Sequence, residues 1–196
     1  MHQRMRASLR FWPILLFTAA SMWTPPACAQ QADTGVGIAE FSAGGLFGLG
    51  AHGNVGGSLW VPTSKYAVPY IEFSYSPLIS YGYAYGPDNT GKGLFTSELF
   101  DVNGGIKFRF PRKKSDWVPY FGLGVGLLRH STSDYTSGFN SIATVNTATN
   151  EIAGNASVGA IYYVTKHVAF GMEAKGYIAQ RERLGRATVS VLYQFP

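Results

Sequence analysis

Histidine is the side chain in this sequence best suited to acid–base chemistry near neutral pH. Three histidines lie beyond the amino-terminal region: His52, His130 and His167. Catalysis would need one of them beside a nucleophile or a carboxylate, and metal binding would need several to converge. The strand pattern described below places His130 and His167 at opposite rims of the fold. We therefore expect surface histidines, with no catalytic residues, no metal site and no cofactor.

A second set of chemically active side chains is charged and alternates with large apolar residues. The set comprises Glu40, Glu72, Asp101, Lys107, Arg109, Glu173 and Lys175. Such charges are costly in an apolar interior, whereas in a polar lumen they can pair with one another. We expect a salt-bridge network that fills a narrow barrel interior. An ion pathway or gate is the alternative use of the same residues.

The elements that must position these residues are marked most clearly at the carboxyl-terminal end of the chain, over residues 185–196. One face carries Ala187, Val189, Val191, Tyr193 and Phe195, and the other carries Thr188, Ser190 and Gln194, with Leu192 as the apolar exception. Strict alternation over about ten residues predicts a strand with one apolar face and one mostly polar face.

The same alternation, interrupted by turn-forming residues, predicts eight strands. They cover residues 36–46, 54–62, 66–76, 94–110, 117–128, 151–164, 168–179 and 185–196. The connections after the second, fourth and sixth strands are short, whereas those after the third and fifth, residues 77–93 and 129–150, are predicted to be long loops. Short turns on one rim and long loops on the other are typical of transmembrane barrels, as is an even strand count.

The position of the apolar face distinguishes a membrane barrel from a soluble one. In the fifth strand Leu123 and Val125 alternate with glycines, and in the seventh Phe170 alternates with Glu173 and Lys175. A lipocalin-like soluble barrel would need an apolar interior, whereas a membrane barrel turns its apolar face to lipid. Only 14% of the residues are charged, against about 25% in typical globular proteins. The sequence therefore predicts an all-β protein, an eight-stranded antiparallel up-and-down transmembrane β-barrel.

Aromatic residues cluster near the predicted strand ends, where amphipathic rings would meet lipid headgroups. On the short-turn rim these are Trp60, Tyr66, Trp117, Tyr120, Tyr162, Tyr163, Tyr193 and Phe195, and towards the other rim they are Phe47, Tyr75, Tyr81, Phe95 and Tyr177. We expect both sets to form aromatic girdles.

The first 29 residues are predicted to be a cleaved secretory signal peptide, which leaves residues 30–196 as the barrel. Three arginines precede an apolar run over residues 11–23, and Ala27-Cys28-Ala29 forms a small-residue cleavage site. A lipoprotein signal that uses Cys28 is the alternative. Of the 16 basic residues, three lie in this segment, so 13 remain against 11 acidic ones. This near balance excludes a nucleic-acid-binding protein.

Three stretches resemble the OmpA/OmpX-type family of small outer-membrane β-barrel domains. They are V-P-Y-F-G-L-G-V-G-L from Val118, G-G-I-K-F-R-F from Gly104, and the carboxyl-terminal strand. The resemblance implies a location in the bacterial outer membrane, contact with outer-membrane lipid and lipopolysaccharide, and a monomer. It also implies that Val191, Tyr193 and Phe195 form the terminal signal that the barrel assembly machinery recognises.

This family resemblance implies a non-catalytic protein with an envelope-structural role or a role in surface-loop interactions. A narrow pore or carrier for small or hydrophobic solutes is one alternative, and a lipid A-modifying barrel enzyme is another. Deacylases of the PagL type carry a His-x-Ser-Asn signature late in the chain, and residues 173–179 contain neither the histidine nor the serine. Residues 129–134 hold the right residue types in a different strand and spacing. We therefore expect no enzymatic activity.

Overall fold

A computed structural model describes residues 37–85, 91–112, 115–138 and 141–196, and these residues form eight β-strands. The strands are β1 (Ile38–Phe47), β2 (His52–Trp60), β3 (Ala67–Tyr85), β4 (Gly91–Arg109), β5 (Trp117–Gly138), β6 (Ser141–Tyr163), β7 (Val168–Ile178) and β8 (Arg183–Gln194). The predicted signal peptide, residues 1–29, lies outside the described residues.

The strands close into one antiparallel barrel, which confirms the predicted fold class. Each strand pairs with the next in the chain, and β1 pairs with β8 from Ile38↔Gln194 to Phe47↔Gly185. Closure satisfies the backbone groups that an open sheet would leave unpaired at its edges. We call the end that carries the first and last described residues the terminal rim and the opposite end the outer rim.

The two faces of the wall follow the predicted alternation. Large apolar side chains point outward, among them Ile71, Phe73, Leu123, Val125, Leu127, Phe170, Val189 and Val191. Leu123 is 52% exposed and Val125 is 58% exposed, while the polar residues on the other face are buried in the lumen. An apolar outer wall around a polar lumen is the arrangement that a hydrocarbon surrounding requires. None of the described residues forms a helix long and apolar enough to cross a membrane.

The four central strands are longer than predicted, and the two predicted long loops are wrong. Most of residues 77–93 and 129–150 continue strands β3 to β6, which reach 19 to 23 residues. The strands were predicted from alternating apolar and polar residues. Both faces of these segments meet water, so the sequence does not need this alternation there and the prediction missed them. Threonine and valine between residues 143 and 149 still favour the extended backbone.

These extensions form a four-stranded sheet beyond the barrel, and we call residues 76–85, 91–99, 130–138 and 141–149 the extended sheet. The pairing of β2 with β3 ends at Val55↔Tyr75, and that of β6 with β7 begins at Gly154↔Ile178. The outer parts of β3 and β6 therefore have one edge without a pairing partner among the described strands. A register shift between Pro77 and Ile79 marks the place where the sheet leaves the barrel.

The predicted aromatic girdles are only partly correct. Tyr193 is exposed on the wall as expected, and Tyr66 is exposed in the turn before β3. By contrast, Trp60, Tyr120, Tyr163 and Tyr177 are buried in the lumen, and each is no more than 7% exposed. Their positions share the inward face of their strands, and this parity overrides their proximity to a rim.

Candidate functional site

The lumen brings together six of the seven charged residues that the sequence singled out. Lys107 Nζ lies 2.8 Å from Glu173 and 3.7 Å from Glu40. Lys175 Nζ lies 2.5 Å from Glu72 and 3.2 Å from Glu173. Glu173 therefore bridges two lysines that come from different strands, and it also accepts a hydrogen bond from Tyr120 at 3.0 Å.

Arg186 is the central cation that the sequence analysis missed. Its guanidinium contacts Glu72, lies 3.6 Å from Asp101 and lies 3.6 Å from Glu173. The signal was available, because Arg186 has the same parity in β8 as the inward residues Thr188 and Ser190. We call Glu40, Glu72, Asp101, Lys107, Glu173, Lys175 and Arg186 the lumen network.

Arg109, the seventh predicted member, lies apart from the lumen network. Its side chain is buried near the terminal rim, and Nη2 donates to the backbone oxygen of Ser64 at 3.5 Å. Ser64 belongs to the turn between β2 and β3. Arg109 therefore contacts a turn, and its predicted place among the paired lumen charges is corrected.

Aromatic rings surround the ammonium group of Lys107. Lys107 Nζ lies 4.1 Å from the ring centroid of Trp60, 4.9 Å from that of Tyr120 and 5.1 Å from that of Tyr70. Ring faces attract a desolvated cation and supplement the two carboxylates beside it. Trp60 Nε1 also donates to Glu40 at 3.0 Å, so the same ring supports both members of an ion pair.

Neutral polar side chains complete the contacts of the buried carboxylates. Ser58 donates to Glu40 at 2.5 Å, and Ser74 and Asn103 both donate to Asp101. Asn155 connects the polar side chains around Asp101 to the aromatic rings around Lys107. Its Nδ2 donates to Asn103 at 3.0 Å, and its Oδ1 accepts from Tyr70 at 3.1 Å. Buried charges of this kind are tolerated only when such additional hydrogen bonds are present.

Apolar clusters lie on both sides of the lumen network. The cluster at the terminal rim contains Ile38, Trp60, Val68, Tyr70, Val118, Tyr120, Ile161, Tyr163, Ala169 and Leu192. The cluster towards the outer rim contains Leu46, Leu78, Leu99, Leu128, Ala153, Tyr177 and Leu184. An eight-stranded barrel has room only for side chains, and here these side chains fill it.

Two of the three histidines contact backbone oxygens at opposite rims. His52 Nε2 lies 2.9 Å from the backbone oxygen of Leu49, and His167 Nδ1 lies 3.1 Å from that of Gln194, at opposite rims. Among the described residues, no group of three or more His, Cys, Asp or Glu side chains is arranged to hold a metal ion.

His130 has a different environment from the one predicted. Its Nε2 lies 2.9 Å from Ser97 Oγ, and its Nδ1 lies 3.0 Å from Glu182 Oε1. Ser97 lies in β4 and Glu182 in the turn between β7 and β8, at the outer rim. The sequence analysis missed this group because its members are far apart in the chain and only barrel closure brings them together.

Two solved structures with related architecture support the assignment of the fold. A major outer membrane protein from Thermus thermophilus is 11% identical, with a TM-score of 0.61 over 82% of this chain and 100% of that one. Neisserial surface protein A is 14% identical, with a TM-score of 0.54 over 81% of this chain and 96% of that one. The chain folds as a small outer-membrane β-barrel. No protein-family model matches it, and no curated protein is significantly similar in sequence.

The terminal strand of this outer-membrane barrel places its apolar row on the outer wall. Val191, Tyr193 and Phe195 are all exposed there, and the rings of Tyr193 and Phe195 pack edge to face with centroids 5.3 Å apart. The backbone N–H of Phe195 donates to the oxygen of Gly37 at 2.9 Å. Phe195 thus lies at the β1–β8 seam, where the barrel closes.

Proposed function

We propose that the protein is an integral outer-membrane barrel without a solute pore, which acts through its outer surface and its extended sheet. The observation that carries this proposal is the filled lumen, with its ion-paired layer between two apolar clusters. A permeating ion would have to displace paired charges and apolar side chains together. This geometry favours an envelope-structural or surface-interaction role over a pore or carrier.

The extended sheet supports the surface-interaction role. On its inward-facing side, Tyr81 stacks on Phe95 with centroids 5.2 Å apart, and Tyr81 and Ile79 are about half exposed. Aromatic side chains contribute large contact areas at protein interfaces. The unpaired edges of β3 and β6 also offer backbone donors and acceptors to an added strand. Such binding requires no catalytic chemistry from the sheet.

The remaining partners follow from the wall of the barrel. Its apolar face would contact the acyl chains of outer-membrane lipid and lipopolysaccharide. Val191, Tyr193 and Phe195 would be presented to the barrel assembly machinery before the β1–β8 seam closes. We propose a monomer, because closure of the sheet leaves no barrel strand in need of a second chain.

Conductance in a planar bilayer tests the absence of a pore. Purified wild-type protein should give no steady ion-selective openings, because the paired charges and both apolar clusters block the path. The double variant Leu99→Ala, Leu128→Ala serves as the comparison, since it thins the cluster towards the outer rim and should give more frequent brief openings. Large and steady openings of the wild-type protein would contradict the proposal.

Cysteine labelling on intact cells tests the location and the orientation that we propose, with the extended sheet outside the cell and the terminal rim in the periplasm. The described residues contain no cysteine, so a single cysteine can be placed at Val145 in the extended sheet or at Thr165 in a turn of the terminal rim. A membrane-impermeant maleimide should label Val145→Cys on intact cells, and Thr165→Cys only after the outer membrane is opened. The reverse pattern would contradict the orientation.

A further inference from the structure

Ser97, His130 and Glu182 have the arrangement of a hydrolytic triad. The serine oxygen and the carboxylate lie within hydrogen-bond distance of different ring nitrogens, at 2.9 Å and 3.0 Å. In such a triad the serine is the nucleophile, the imidazole is the general base, and the carboxylate holds the ring and stabilises its charged form. Here all three roles have a side chain at the required distance.

Three separate elements bring these side chains together, and a second contact fixes the most distant one. Glu182 follows Arg181, whose backbone N–H donates to Glu151 at 3.0 Å and whose Nε lies 3.7 Å from the same carboxylate. The backbone N–H of Ala179 donates to the oxygen of Glu182 at 2.9 Å. The turn is therefore tied to β6, and its carboxylate is held beside β5.

The imidazole and the carboxylate of the group are partly exposed to water at the outer rim. The side chains of His130 and Glu182 are 27% and 18% exposed, while Ser97 is largely buried beneath them. Leu99 and Leu128 lie two residues from Ser97 and His130 on the same faces of β4 and β5, and both belong to the cluster towards the outer rim. Both leucines are buried, at 2% and 4% exposed, so the floor beneath the group is closed and a substrate can meet it only from the water at the outer rim.

We propose that Ser97, His130 and Glu182 hydrolyse carboxylic esters that approach from the water at the outer rim. This activity goes beyond the proposed function, and it revises the expectation that the protein is not an enzyme. Ser97 and His130 are the catalytic residues, and Glu182 is a positioning residue.

The reaction requires only the ester and water. Ser97 Oγ attacks the carbonyl carbon while His130 Nε2 accepts the hydroxyl proton, and the tetrahedral intermediate expels an alkoxide that takes this proton from His130. Water then attacks the acyl-serine ester and gives its proton to His130. Collapse of the second intermediate releases the carboxylic acid, and the proton returns to Ser97.

Covalent labelling with a fluorophosphonate tests the nucleophile without knowledge of the natural substrate. The full-length barrel in detergent micelles should form an adduct that mass spectrometry locates on Ser97. Ser97→Ala should remove the adduct, and the matched variant Ser131→Ala, a neighbouring serine outside the group, should keep it. No adduct on folded wild-type protein, or an adduct at any other residue that persists in Ser97→Ala, overturns the proposal.

Hydrolysis of p-nitrophenyl butyrate tests the roles of the other two residues. His130→Gln should lower kcat/KM by about 10²–10⁴-fold, the usual contribution of a general base. Glu182→Gln should also lower it and change the pH profile, whereas Glu182→Asp should restore part of the activity. A heat-modifiability gel verifies that each variant is folded. If folded Ser97→Ala or His130→Gln hydrolyses the ester as fast as the wild type, the group only ties the turn to the barrel and the proposal is wrong.

Discussion

At the scale of single residues, Glu173 is the carboxylate with the most cationic partners in the lumen network. It lies within ion-pair distance of Lys107, Lys175 and Arg186, and its carboxylate also accepts from Tyr120. Removing its charge leaves buried cations with fewer partners, and an uncompensated buried charge is far more costly than the pair itself was favourable. Stability should therefore depend on this carboxylate more than on any exposed one.

We expect Glu173→Gln to lower the free energy of unfolding by about 3–5 kcal/mol, the cost of breaking a buried ion pair. The measurement is urea unfolding of the refolded barrel in lipid vesicles, followed by tryptophan fluorescence. Glu98→Gln is the matched control, because Glu98 points outward and accepts a hydrogen bond from Tyr75 at an exposed site. Equal effects of the two substitutions would show that the lumen network contributes little.

The sequence predicted which residues face the lumen better than it predicted their partners. Parity along a strand placed Glu72, Asp101 and Glu173 on one side, because alternation is a property of the strand itself. The partners depend on how far each strand is shifted against the next, and neither this shift nor Arg186 as a shared partner follows from alternation. The Ser97–His130–Glu182 group could not be predicted either, because it also depends on how the strands are shifted against one another.

At the scale of the elements, the close approach of β1 and β8 depends on a glycine. A Cβ atom added at Gly44 would lie 2.0 Å from the backbone oxygen of Ala187, so the strands would have to separate. A Cβ atom added at Gly176, in β7, would meet no atom within 4 Å. A side chain is therefore excluded at Gly44, whereas there is room for one at Gly176.

We expect Gly44→Ala to lower the temperature at which the folded form disappears on an unboiled gel, because it strains the seam that closes the barrel. Gly176→Ala should leave this temperature unchanged or raise it slightly, since alanine restricts the unfolded chain without a clash. A Gly44→Ala variant as heat-resistant as Gly176→Ala would contradict the packing at the seam.

The outer wall of the barrel should face lipid, whereas the extended sheet should face water. Leu123→Arg should cost about 2–4 kcal/mol if the residue lies near the bilayer midplane, whereas Val145→Arg in the extended sheet should cost little. Both native residues are apolar and more than half exposed, so the pair isolates the effect of lipid. Unfolding in vesicles measures both variants, and equal tolerance of arginine would place the membrane elsewhere.

At the scale of the whole molecule, the strand that carries the proposed assembly signal, β8, is also the strand that closes the barrel against β1. Phe195 packs on Tyr193 beside the β1–β8 pairing, and we propose that the assembly machinery recognises this row. The terminal strand is therefore the part of the molecule where a substitution can reduce insertion without disturbing the lumen.

We expect Phe195→Ala to reduce the amount of folded protein in the outer membrane of cells, measured as the heat-modifiable band after carbonate washing. Deletion of Pro196 is the control and should be tolerated, because the aromatic row ends before it. Spontaneous refolding of purified Phe195→Ala in detergent should remain efficient, so that the loss is confined to cells. Normal insertion in cells would leave the terminal row without a role in assembly.

The unequal heights of the hairpins give the molecule a front and a back. The β1–β2 and β7–β8 hairpins end close to the outer rim, while β3 to β6 continue well past it. A molecule that approaches over β7, β8, β1 and β2 meets the low side of the mouth first, and one that approaches over β4 and β5 meets the outward face of the extended sheet. In the orientation proposed above, molecules at the cell surface therefore reach Ser97 and the aromatic side of the sheet from one direction. Neighbouring molecules in a crowded membrane would alter access by their orientation around the barrel axis, without touching either site.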